Sequence, residues 1–169
     1  IKELFPDAKK VGILYCSAEA NSKYQSDVIT KELTALGYTC EVFTFTDSND
    51  VAAVTTSACQ NSDLIYVPTD NVSADCTEAI NNVALPAKTP IFAGEQGICS
   101  GCGVATLSIN YYDIGYTAGE MAYEILVNGA DPATMEIKTA PEVTPMYNKA
   151  NADALGITIP DTYQAIEAE

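Results

Sequence analysis

The chain alternates short, continuously apolar runs with longer segments in which apolar residues recur at helical spacing. The first apolar run, 11–15, ends in a small polar loop, and the amphipathic segment after it is stopped by Gly37. This order predicts a strand, a loop and a helix. Further strands are predicted at 39–45, 64–67, 90–93 and 104–110, and further helices are predicted to begin at 48–50, Ser73 and 111.

Four strand–helix units in a row indicate the fold class. Their strands are apolar throughout rather than alternating, which is typical of a mostly parallel sheet covered by helices on both faces. Right-handed crossovers then place the loops after Tyr15, Phe45, Val67 and Ala93 along one carboxyl edge. Ligands of open α/β sheets bind at that edge.

The pattern loosens after Gly103. A long helix is predicted through 114–126 with Gly129 as its stop, and an extended segment with a short strand at 135–139 follows. A short helix is predicted from Asn148 to Gly156, and Asp161 is predicted to start a terminal helix.

Charge excludes several functions. The chain has 23 Asp and Glu against 8 Lys, and it contains no Arg and no His. A phosphate-binding basic patch is therefore not expected, which argues against nucleic-acid partners. Without His, the common nucleophile–base dyads and the commonest zinc ligand are missing. We expect no catalysis, no metal and no cofactor, and no apolar run is long enough to predict a membrane span.

Two loops at the predicted edge carry the candidate chemistry. Ser17, Asn21 and Ser22 stand at a predicted helix start, where free backbone amides can hold an anion, although they also suit a plain helix cap. Asp70, with Asn71 beside it, follows the third strand and is either a cap for the next helix or a ligand for a cation.

Together these loops suit a zwitterion. Amides at Asn21 and Ser22 offer an anion site, and Asp70 offers a negative group. An α-amino acid carries both required charges, whereas Asp70 would repel a phosphate. The first loop also lacks the glycine spacing of a nucleotide-binding loop.

The cysteines point to no particular chemistry. Cys99 and Cys102 form a lone C-x-x-C pair, too few ligands for zinc without a His or a second pair. The pair is predicted in a loop before a strand, where a redox dithiol is not favoured, so a local disulfide or two free thiols is the simpler interpretation. Cys16 is expected to be a small core residue.

The start of the long helix adds two candidates. Asp113 is favoured there by the helix dipole, and Tyr112, beside the predicted edge, could stack on an aromatic ligand.

Several segments together resemble a known family. The runs 1–22, 66–71, 90–95, 111–115 and 154–160 are similar, in order, to ABC-transporter substrate-binding proteins of the tryptophan- and tyrosine-receptor type. Members of that family resemble type I periplasmic binding proteins, which have two hinged α/β lobes closing on a ligand.

The resemblance implies a particular domain organisation. The match begins where the family's second lobe begins, so we expect one lobe of this fold, with most of the first lobe missing. Residues 1–109 would form the ligand-binding lobe, 110–130 a returning segment that normally packs on the absent lobe, and 131–169 a crossing strand and terminal helices. The chain would then be a processed or truncated piece that binds solute weakly.

The resemblance also implies a function. It predicts an extracytoplasmic receptor, lipid-anchored in the full-length protein, that binds a small, amino-acid-like solute for an ABC permease. Exposure of the returning segment would favour a homodimer. The residues implied to line the cleft are Ser17, Glu19, Asn21, Ser22, Asp70, Glu95 and Asp113, with Asn21 and Ser22 on the ligand's carboxylate and Asp70 on its ammonium group.

A flavodoxin-like or receiver-like domain is the alternative. The order of strands and helices is similar, and Asp70 follows the third strand as a phospho-acceptor would. However, Cys16 and Ser17 stand where a receiver needs an acidic pair, and Glu19 would repel a flavin phosphate.

Overall fold

A seven-stranded sheet with helices on both faces organises the computed structural model, which describes residues 1–140 and 142–167. The strands are β1 (Lys10–Cys16), β2 (Thr39–Phe45), β3 (Leu64–Val67), β4 (Ile91–Ala93), β5 (Ala105–Ile109), β6 (Val143–Tyr147) and β7 (Gln164–Ala165). The helices are α1 (Ala20–Ala35), α2 (Val51–Asn61), α3 (Asn71–Asp75), α4 (Thr77–Ala84), α5 (Gln96–Gly101), α6 (Tyr111–Leu126) and α7 (Lys149–Leu155).

The strand order is β2-β1-β3-β4-β5-β6-β7. The first five strands are parallel, β6 runs antiparallel to β5, and β7 runs parallel to β6. The predicted, mostly parallel α/β sheet is therefore confirmed. Flavodoxin-like folds share the order of the first five strands, so topology alone does not separate the two interpretations.

Side-chain alternation along β1 supplies two cores, one on each face of the sheet. Val11, Ile13 and Tyr15 pack with α1 and the N-terminal segment. Leu14 and Cys16 pack on the opposite face with residues of α2, α4 and α5. Because both faces are covered, β1 is apolar throughout, and its parallel neighbours are held in register at the edge where the loops emerge.

Three predicted elements are wrong. Residues 135–139 form no strand, and the crossing strand is β6. The predicted terminal helix is absent from 161–167, where a turn leads into β7, and its last residues, 168 and 169, lie outside the described residues. The helix expected after Ser73 is two short helices, of which α3 begins directly after Asp70.

Helix α6 differs from the other long helices because it contributes no buried side chain. It starts at the carboxyl edge, where the Asn110 side chain accepts a hydrogen bond from the Tyr112 amide at 2.9 Å. Within the described ranges no helix is long and apolar enough to cross a membrane. The large apolar side chains exposed on α6 and just beyond it are Tyr111, Tyr112, Tyr116, Tyr123, Leu126 and Val127.

Candidate functional site

The β1–α1 connection crosses the carboxyl edge and is tied to the neighbouring strand. The backbone amide of Ser17 donates to the Phe45 carbonyl at 2.9 Å, and its hydroxyl donates to the same oxygen at 3.2 Å. Ser17 and Asn21 are exposed at this edge, whereas Ser22 is 0% exposed. A ligand can reach Ser17 and Asn21. The predicted direct contact with Ser22 stays a prediction, because Ser22 is buried in this conformation.

The N-terminus of α1 is open. Glu19 is the N-cap residue, yet its side chain makes no capping hydrogen bond to α1. In the part of the chain that the structure describes, no side chain accepts from the first amides of this 16-residue helix, those of Ala20, Asn21 and Ser22. These amides and the helix dipole create a positive end beside the exposed Ser17 and Asn21.

The Glu19 side chain instead reaches α3. Its Oε2 accepts from the Asn71 amide at 3.1 Å and from Asn71 Nδ2 at 3.0 Å, and its Oε1 accepts from the Val72 amide at 3.0 Å. Burial alone would raise the pKa of Glu19, but the hydrogen bonds from Asn71 and Val72 outweigh it and lower the pKa. Glu19 therefore stays charged and joins the first loop, between β1 and α1, to the third loop, between β3 and α3.

Asp70 completes the cap of α3. The side chain is 1% exposed, and its Oδ1 accepts from the Ser73 amide at 2.7 Å. Its Oδ2 accepts from the Cys16 amide at 2.9 Å, across the sheet edge. The sequence left two roles for Asp70, a helix cap or a ligand for a cation, and the structure shows it as the cap of α3. The predicted contact with a ligand's ammonium group stays a prediction, because this conformation keeps the carboxylate buried.

Glu95 plays the same part for α5. Its carboxylate accepts from the Gly97 amide at 2.8 Å and from the Ile98 amide. The loop before it needs a glycine, because a Cβ on Gly94 would lie 2.7 Å from the Thr69 amide nitrogen. The loops after β3 and β4 are thus in close contact, and Glu95 remains partly exposed between them.

A groove of about 260 Å³ lies between α3 and α5 at this edge. It brings together the predicted residues Asp70, Asn71 and Glu95 with Thr69 and Tyr111. Burial, and then the charge of Glu95, raises the pKa of Tyr111, so this phenol stays neutral. The groove combines an aromatic ring with fixed carboxylates.

The two predicted residues at the start of α6, Tyr112 and Asp113, lie outside this groove. Tyr112 is 77% exposed and lines a neighbouring groove of about 410 Å³ with Ser108 and Thr144. Asp113 is half-buried in the first turn of α6, as the helix dipole favours.

Sequence reasoning missed Gln25. This side chain, in the second turn of α1, bonds both backbone polar atoms of Thr69. No periodicity or motif distinguishes it from an ordinary helical surface residue. The contact depends on how α1 packs beside the third loop, which places Gln25 next to Thr69.

The C-x-x-C pair lies in a helix, so its predicted loop position is wrong. Cys99 is within α5 and Cys102 follows its last residue. Both thiols are free and buried. Burial raises the pKa of Cys99 to about 12 and also raises that of Cys102, so both are poor nucleophiles at neutral pH. Among residues 1–140 and 142–167, no group of three or more Cys, Asp or Glu side chains could hold a metal ion.

A larger cavity, about 690 Å³, lies at the opposite end of the sheet between α5, α7 and β7. Its amide side chains are used within the protein. Asn148 Nδ2 donates to the Ser100 carbonyl at 2.7 Å, and Asn151 Nδ2 donates to Asn81 Oδ1 at 3.1 Å. The open N-terminus of α1 and the carboxylates of Glu19, Asp70 and Glu95 are at the carboxyl edge instead.

The open N-terminus of α1 and the carboxylate-lined groove both lie at the carboxyl edge of a parallel sheet, where ligands of open α/β folds bind. Residues 1–168 match the model of the ABC transporter substrate binding protein family, and the chain belongs to that family. This assignment decides against the flavodoxin-like or receiver-like alternative.

Individual relatives agree with the family. The chain is 33% identical over 155 residues to a tyrosine-binding protein of Clostridioides difficile (strain R20291), covering 92% of this chain and 45% of that protein. It is 32% identical to a Streptococcus pneumoniae ABC domain solved in complex with L-Trp, with a TM-score of 0.88 over 98% of this chain and 58% of that one. The chain thus spans about half the length of these relatives.

A third relative is a ligand-free, open substrate-binding protein with adhesive properties from Clostridium difficile. It is 31% identical, with a TM-score of 0.81 over 99% of this chain and 57% of that one. The same lobe therefore recurs in liganded and ligand-free relatives.

Proposed function

We propose that this chain forms one wall of the cleft of a non-catalytic, extracytoplasmic receptor that delivers a small, amino-acid-like solute, such as an aromatic amino acid, to an ABC permease. In the full-length protein, which we propose is lipid-anchored, a first lobe supplies the other wall. Residues 110–130 return to that lobe, and residues 1–109 and 131–169 form the lobe described above.

The open N-terminus of α1 carries the proposal. Helices α3 and α5 begin at the same edge, but Asp70 and Glu95 already cap them. Among the described residues, helix α2 has no side-chain cap either, but it follows the outermost strand, β2, on the far side of β1 from the groove. An incoming carboxylate is therefore repelled from α3 and α5 and attracted to the amides of Ala20 and Asn21, with Ser17 beside them. This arrangement fixes the direction in which a zwitterion enters.

The other end of the ligand faces the groove. Neighbouring strands are about 4.8 Å apart, so the loops after β1 and β4 are separated by about 10 Å, the length of an amino acid with a large side chain. Tyr111 offers the groove a ring for an aromatic side chain, and the charge of Glu95 adds a negative potential along this edge that favours a ligand carrying an ammonium group. The ligands named for the relatives, L-Trp and tyrosine, fit these dimensions.

Calorimetry on the full-length gene product tests the proposal. L-Tryptophan and L-tyrosine should bind, and their amides, which lack the carboxylate, should bind at least about tenfold more weakly. Ala20→Pro removes one open amide while keeping the helix start, because proline is favoured at the first helical position and Glu19 is already extended. This variant should also lose affinity about tenfold.

Lys149→Pro is the matched control. It places proline at the same position of α7, after an extended Asn148, at the far end of the sheet. Affinity should not change. Equal binding of the amino acids and their amides, or an unchanged affinity in Ala20→Pro, would contradict the proposal.

A further inference from the structure

Gln25 holds the third loop at two points. Its Oε1 accepts from the Thr69 amide at 3.0 Å, and its Nε2 donates to the Thr69 carbonyl at 3.2 Å. The side-chain amide therefore pairs with Thr69 as a neighbouring strand would, just beyond the end of β3. Asn21 Nδ2 adds a second donor to the same carbonyl, at 3.0 Å.

This pairing matters because the Thr69 backbone is next to Asp70 in the chain and in close contact with Gly94 in the neighbouring loop. Asp70 follows directly and bonds the Cys16 amide, at the end of β1. On the other side, Gly94 is so close to the Thr69 amide that a Cβ would lie 2.7 Å from its nitrogen. The position of Thr69 consequently sets the distance between the open end of α1 and the loop that carries Glu95.

We propose that Gln25 is a positioning residue of the ligand site, setting the spacing between the anion-binding end of α1 and the groove between α3 and α5. The inference rests on the proposed function. Gln25 itself does not contact the ligand, because both ends of its amide are occupied by Thr69. It acts through the Thr69 backbone on the two parts of the site that a single amino acid must span.

Only an amide, or a group that both donates and accepts, satisfies this geometry. A charged carboxylate in its place can accept from the Thr69 amide but meets the Thr69 carbonyl with a second acceptor. A protonated carboxylic acid has one donor and one acceptor and restores both bonds. Gln25→Glu is therefore a variant whose defect should depend on pH, which a loss of packing would not.

The experiment compares amino-acid binding by full-length wild type and Gln25→Glu between about pH 7 and pH 4, the range over which a glutamate side chain protonates. We expect an affinity about tenfold below wild type at neutral pH and close to wild type at the acid end. The carboxylates of Glu19, Asp70 and Glu95 are present at the same site in both proteins, so the affinities of the two proteins are compared at each pH.

Gln60→Glu is the control. Gln60 is exposed in the last turn of α2, away from the carboxyl edge, so the same change of charge there should leave the affinity unchanged at every pH. Wild-type affinity in Gln25→Glu at neutral pH, or a defect that persists unchanged at the acid end, would overturn the inference.

Hydrogen exchange separates this inference from the proposed function. Without any ligand, the Thr69 amide should exchange at least about tenfold faster in Gln25→Met than in wild type, because it loses its acceptor. If wild type binds no amino acid, the proposed function fails and so does the role of Gln25 in ligand binding. In that case, faster exchange of the Thr69 amide in Gln25→Met would show that Gln25 pairs with Thr69 but has no role in ligand binding. Unchanged exchange would show that the pairing does not protect the Thr69 amide either.

Discussion

At the scale of single residues, carboxylates at the carboxyl edge act on backbone amides of the protein. Glu19 accepts from Asn71 and Val72, Asp70 accepts from Cys16 and Ser73, and Glu95 accepts from Gly97 and Ile98. Negative charge thus stabilises the short helices α3 and α5, while α1 remains open. The polarity of the candidate site results from this distribution.

Glu19→Gln should make stability less dependent on pH. The pKa of Glu19 is lower in the folded chain than in the unfolded one, so its contribution is present above the unfolded pKa and is lost as pH falls through the folded pKa. At neutral pH the variant should lower the free energy of unfolding by about 1 kcal/mol, and the difference should shrink as pH falls below the unfolded pKa and vanish only below the lower, folded-state pKa. Urea unfolding at several pH values measures this.

Asp63→Asn is the companion variant at the opposite end of the sheet. Hydrogen bonds from the Lys10 and Lys9 amides lower the pKa of Asp63, so the pH trend should have the same sign. Ligand affinity should change only in the Glu19 variant. A Glu19 difference that is constant from neutral to acid pH would mean that its charge does not stabilise α3.

At the scale of elements, helix ends are the features that local sequence predicts best. Asn148 and Gly156 were both predicted to bound a short helix, and the structure confirms both. The Asn148 side chain accepts from the Asn151 amide, and Gly156 has a φ of +68°. Each of these two signals needs only the backbone of one turn, whereas the helix starts predicted at Ser73 and Asp161 do not form there.

Elements that depend on distant partners were predicted poorly. Strand β6 contains Pro145, which argues against a strand, but β7 pairs only with Met146 and Tyr147 and leaves Pro145 on an open side. Helix α5 has two glycines in six residues and is stabilised by Glu95. The candidate site shows the same contrast. The sequence predicts which loops reach the carboxyl edge, but the burial of Ser22 and Asp70 and the contact between Gln25 and Thr69 depend on tertiary packing.

Gly156→Ala tests the end of α7. A Cβ there meets no atom within 4 Å, so the cost is that of the left-handed backbone alone. We expect the free energy of unfolding to fall by about 1 kcal/mol. Gly156→Asn is the control, since asparagine adopts this conformation readily, and it should retain most of the stability in urea unfolding. Equal losses in both variants would point to a cause other than φ.

At the scale of the whole molecule, the isolated chain combines a strong net charge with a helix, α6, whose apolar side chains are exposed. The formal net charge is −15, which favours separate monomers at low salt. Yet α6 buries no side chain, and at its end Leu126 is 82% exposed. In the proposed full-length receptor the first lobe covers this face, so in the isolated chain the apolar area and the charge oppose each other.

The salt dependence of dimer formation distinguishes the repulsion between the charged chains from the apolar attraction between their α6 helices. Screening shortens the Debye length from about 30 Å at 0.01 M to about 3 Å at 1 M, which weakens the repulsion and leaves the apolar contact intact. Sedimentation of residues 1–169 should therefore show a dimer whose fraction rises with salt. Leu126→Glu should abolish it, whereas Val42→Glu, at a comparably apolar exposed site on β2, should not. A chain that stays monomeric at high concentration and high salt would show that the α6 face is not adhesive by itself.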